Sequence, residues 1–69
     1  MLNVNYNLVK LLHMKLYEIH RLKEFYVNDS NEAKCHSVPL LEEMMKDAEK
    51  QRDGLINEIK MRMDAKVFN

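Results

Sequence analysis

The sequence predicts an all-α protein: a two-helix antiparallel hairpin that pairs with a second copy into a four-helix bundle. Three observations carry this. An apolar stripe runs through Leu41, Met45, Ala48, Leu55, Ile59 and Met63, and only a period of about 3.6 residues gathers such positions on one face. A second stripe, Leu8, Leu12, Leu16, Ile19, Leu22 and Tyr26, recurs at helical steps in the first half of the chain. Between the stripes, Asn28-Asp29-Ser30-Asn31 is a run of small polar residues whose side chains compete for backbone hydrogen bonds and favour a turn.

The single domain covers residues 1–69, with helix one at about 6–27, a polar turn at 28–36 and helix two at about 37–64. Asn5 or Asn7 can cap the first helix. Leu11 and Phe25 widen its apolar arc on one side and Val9 on the other, which suits a core-facing helix better than a narrow two-stranded seam. Ser37 can cap the second helix, with Pro39 in the first turn, where a missing N–H is harmless. The alternative is a helix that starts at Asn31, capped by Asp29 or Ser30 and kinked by Pro39. The first is preferred because proline disfavours helical geometry in the residue before it. Gly54 falls on the polar face and costs the helix about 1 kcal/mol relative to alanine. The tail from Asp64 to Asn69 is expected to fray, with Val67 and Phe68 able to dock on a neighbour.

A chain of 69 residues buries a small fraction of its surface. Such chains are commonly reinforced by disulfides, a metal or self-association. The lone Cys35 excludes an internal disulfide, and one cysteine with three histidines gives no zinc-finger spacing. Association is the remaining remedy. The expected partner is therefore the chain itself, as a homodimer, with another protein as the other route. Eleven basic residues balance eleven acidic ones, so there is no excess positive charge to neutralise phosphates and nucleic acid is not expected. The apolar runs are too short to span a membrane. The first ten residues, MLNVNYNLVK, lack the pattern of a secretory signal, so a cytoplasmic location is expected. In that setting Asn28-Asp29-Ser30 reads as loop chemistry, not as a glycosylation acceptor.

Arg52 is the one charge on the stripe of helix two. Either its stem crosses the edge of the core and the guanidinium reaches water, or it pairs with a carboxylate, for which Glu18 is the preferred internal mate. His13, Tyr17, His20 and Glu24 share one face of helix one. There His20 and Glu24, with Cys35 and His36 if helix two begins early, are the candidates for a metal. Helix two offers no second ligand set, and a solvated flank is the simpler reading, so neither metal nor cofactor is expected. Glu42, Glu43 and Asp47 near the start of helix two, and Lys60 and Arg62 near its end, complement the helix dipole. Four of the six methionines, Met44, Met45, Met61 and Met63, fall on helix two, where flexible thioethers suit a dimer core.

Two short segments resemble known families. Asp53-Gly54-Leu55-Ile56-Asn57-Glu58-Ile59 resembles part of the second helix of the sporulation-type aspartyl-phosphate phosphatases, small two-helix proteins that dephosphorylate a response regulator. Their signature runs Ser-Gln-x-Leu-Asp and then Leu-Ile; in Glu49-Lys50-Gln51-Arg52-Asp53 only the aspartate matches. The resemblance implies Asp53 as the functional residue, and it is the only catalytic candidate. Asp47-Ala48-Glu49-Lys50-Gln51-Arg52 resembles the ExxH helix of the ferritin-like fold, with Arg52 where histidine would bind iron and Glu18 as the helix-one carboxylate. This second resemblance implies a helical hairpin whose metal site is lost or altered. The residues themselves, without a catalytic constellation, point to a small non-catalytic interaction or regulatory module that self-associates through the two stripes.

Overall fold

The computed structural model describes all 69 residues. Helix α1 spans Asn3–Arg21, a π-helical turn follows at Leu22–Tyr26, and α2 continues the same rod over Val27–Glu32. Helix α3, Val38–Asp64, returns antiparallel along it. Two side-chain hydrogen bonds fix the register at the ends: Arg62 Nε to Asn5 Oδ1 at 2.6 Å, and the Ser30 and Ser37 hydroxyls at 2.7 Å. The chain is an all-helical hairpin measuring 49 × 16 × 14 Å. Its radius of gyration is 15.3 Å, against about 11 Å for a compact chain of this length. No helix is long and apolar enough to cross a membrane.

The reversal is tighter than the composition predicts. Asn28–Glu32, expected in the turn, are helical, and the chain turns over residues 33–37. The rod ends in a Schellman motif: Cys35 N–H donates to Ser30 O at 2.9 Å and Lys34 N–H to Asn31 O at 3.0 Å, with Lys34 left-handed at φ 52°. Packing overrides propensity here. Ser30 is buried against the returning arm and its hydroxyl bonds Ser37, while the Asn28 amide reaches Glu32 one turn on.

The π-helical turn changes which residues face α3. Val27 N–H donates to Leu22 O, five residues back, so one extra residue enters the turn. On an uninterrupted α-helix Tyr26 would follow Leu22 on the packed face. Instead Tyr26 is 48% exposed, and Val27 and Ser30 take the inward line. The shift also keeps the Asp29 carboxylate in water.

The capping expectations need correction. Leu2 precedes α1, in extended conformation and without a side-chain cap, and neither Asn5 nor Asn7 caps it. Ser37 precedes α3, but its hydroxyl is engaged with Ser30 and with Cys35 Sγ and makes no cap bond. Pro39 sits in the first turn of α3 as expected. The C-terminal tail does not fray. Val67 N–H donates to Arg62 O at 2.9 Å and Lys66 N–H to Met63 O at 3.0 Å, a second Schellman motif with Lys66 at φ 61°. The chain is thereby turned back over Asn5, whose amide donates to Val67 O at 2.9 Å and to Asn69 O at 3.1 Å.

Candidate functional site

The largest chemical feature of the molecule is apolar surface left in water. Leu22 and Ala48 are the only apolar residues that are buried. Leu8, Leu12, Ile19, Leu41, Met45, Leu55 and Ile59 line the seam between the arms and are half-buried. Leu16 and Met63, placed on the same stripes by their spacing, are 47% and 53% exposed. The two stripes therefore meet along a narrow line, and their flanks stay open because two helices in contact cover only part of each other's circumference.

The two sides of the hairpin differ. On one, a shallow groove is lined by Leu8, Leu11, Lys15, Gln51, Gly54, Leu55 and Glu58. Lys15 Nζ lies 3.3 Å from Glu18 Oε1 there, one turn along α1. Helical register sends Val9 and Leu16 of α1, and Glu49, Ile56 and Met63 of α3, to the opposite side. Arg52 starts on the seam line, seven residues from Met45 and Ile59, and its guanidinium turns out to Asp53.

That division separates the expected ion pair. Glu18 is paired to Lys15 on the grooved side, and Arg52 Nε donates to Asp53 Oδ1 at 2.9 Å on the other. The two residues do not meet within the protomer. A two-helix packing has opposite flanks, and a count of helical positions on each arm says nothing about which flanks adjoin. Asp53, the residue implied by the phosphatase resemblance, is exposed and bound to its neighbour Arg52.

The histidine-bearing face of α1 is a cation–aromatic surface. The Arg21 guanidinium lies 4.8 Å from the Tyr17 ring centroid and 5.6 Å from that of Phe25, and its Nη2 donates to the Tyr17 hydroxyl. The His20 ring meets Phe25 edge to face, centroids 6.0 Å apart. His13 lies beside Lys10, Met14 and Tyr17 in a second shallow groove. No three His, Cys, Asp or Glu side chains converge in metal-binding geometry, so His20, Glu24, Cys35 and His36 are not brought into one site.

Cys35 stands in the connection between the arms, exposed and free. Ser37 Oγ donates to its Sγ at 3.2 Å. Hydrogen bonding from the Ser37 side chain, and secondarily from the Ser37 backbone, favours the thiolate and lowers the thiol pKa from its ordinary value.

Asn5 is fully buried, held by Arg62 and the returning tail. It is one of three asparagines alternating with Val4 and Tyr6, and it resembles a helix cap until a partner 57 residues away is known.

No family model matches the chain, and neither a curated protein nor a solved structure is found to match it. The phosphatases and ferritin-like proteins resembled by two short segments are thus not among the matches.

Proposed function

We propose that this chain is a non-catalytic protein–protein interaction module that pairs with a second copy of itself, closing two hairpins into a four-helix bundle. The observation that carries the reading is a surplus of surface. The protomer exposes 5389 Å², whereas a compact monomer of its mass exposes about 4,600 Å². The excess of about 800 Å² equals one partner's share of a standard protein–protein interface. Seventeen large apolar residues are at least 39% exposed, and on amphipathic arms such faces are covered by helix-on-helix packing. A regulatory role follows if a second protein competes for the same rows. The chemistry-bearing side chains support the non-catalytic part, since no three His, Cys, Asp or Glu side chains converge and Asp53, Cys35 and His20 are each engaged by local neighbours.

Sedimentation velocity at about ten micromolar tests this reading, with the expected species at twice the 8.3 kDa protomer mass. The thermal midpoint should also rise with protomer concentration, because association stabilises the folded state by mass action. A monomer that melts cooperatively, at a midpoint independent of concentration, overturns it.

A further inference from the structure

We propose that the second copy docks on the side of the hairpin that carries Val9, Leu16, Ile56 and Met63, and that Arg52 of each chain there pairs with Glu49 of the other. The proposal rests on the self-association argued above and assigns its face. The four apolar residues are 42%, 47%, 47% and 53% exposed, two on each arm. The grooved side is a poorer choice. Lys15 and Glu18 there already satisfy each other, and covering Gln51 and Glu58 would strip them of water with no partner supplied.

Charge chooses the occupant. Arg52 has a side chain only 29% exposed, and its single hydrogen bond uses Nε, leaving both terminal nitrogens without a partner in the protomer. Glu49, one turn earlier on the same side of α3, is half-buried and makes no ion pair. Asp53 already occupies the Nε of Arg52, so any body that covers this side must offer acceptors to the two terminal nitrogens of Arg52 and a cation to Glu49. A second copy related by a two-fold axis offers both, since in an isologous contact residue i meets residue j and j meets i. The Asn5–Arg62 and Ser30–Ser37 bonds set a register in which Leu16 lies level with Arg52, near the middle of the rod. Leu16 is thus expected close to the axis and to its own counterpart.

The test is a charge swap between chains. With the wild type dimeric, Arg52→Glu and Glu49→Arg should each weaken self-association on the order of tenfold or more. An equimolar mixture of the two variants should recover it, because each like-charge contact becomes an opposite pair. A purely local role within α3 cannot produce that recovery. Leu11→Gln, on the grooved side, should leave the dimer unchanged. In a Cys35→Ser background, Leu16→Cys should form a disulfide-linked dimer on mild oxidation and Leu11→Cys should not, a readout that needs no destabilising charge. If the wild type is dimeric but mixing restores nothing, or Leu11→Cys links and Leu16→Cys does not, this face is wrong and self-association stands. A monomeric wild type removes both.

Discussion

Arg62 donates from Nε to the side-chain oxygen of Asn5 at 2.6 Å, joining the first turn of α1 to the last turn of α3. The same asparagine holds two carbonyls of the tail with its amide, so every polar atom of a fully buried side chain is satisfied. The bond latches the open end of the hairpin, where no covalent connection holds the arms together.

Asn5→Ala removes three of these hydrogen bonds and leaves Arg62 and two carbonyls to find water. The expected loss is about 1–3 kcal/mol. Urea unfolding at one fixed protomer concentration measures it. A loss below about 0.5 kcal/mol would show that the latch contributes nothing net.

Lys34 and Lys66 both adopt left-handed backbone at the end of a helix, at φ 52° and 61°. A side chain there is strained and glycine is not, although glycine also adds freedom to the unfolded chain. Lys34→Gly and Lys66→Gly should each stabilise by about 0.5–1 kcal/mol, read as a higher thermal midpoint. A lower midpoint in both would contradict this account of the helix ends.

Gly54 sits mid-helix, and an added Cβ would meet nothing within 4 Å. Gly54→Ala should therefore stabilise α3 by about 1 kcal/mol through helix propensity alone. Because Gly54 lines the grooved side, the dissociation constant of the proposed dimer should not change. Gain in stability together with weakened association would place the partner in that groove.

Cys35 is held toward its thiolate by Ser37. Its rate of alkylation by iodoacetamide should reach half-maximum at a lower pH than that of an unstructured cysteine peptide, because the thiolate is the attacking species. Ser37→Ala removes the leading cause and should move the midpoint back up. An unchanged profile would mean that the hydroxyl does not bond the sulfur in solution.

Both arms, their antiparallel return and most of the seam were legible in the sequence. Residues such as Leu12, Ile19, Ala48 and Leu55 declare a face by spacing alone. Tyr26 leaves the face packed on α3 because one extra residue at Leu22–Tyr26 turns the helix, and no periodicity count includes an insertion that leaves composition untouched. Asn28 to Glu32 were misread because four polar residues look like a breaker until Ser30 finds Ser37. Glu18 borders one stripe and Arg52 lies on the other, and spacing alone does not tell that Glu18 turns to Lys15 on one side and Arg52 to Asp53 on the other.

Local chemistry, in which spacing and propensity act within a turn or two, determined that this chain makes two amphipathic helices and leaves apolar surface over. Only the tertiary structure decided where the rod turns, which flank each border residue joins, and that Asn5 and the tail close the open end. Closure of the open end depends on groups brought together from 57 to 64 residues apart, the turn on Ser30 meeting Ser37 against the returning arm, and such meetings are settled by packing geometry that no local pattern encodes.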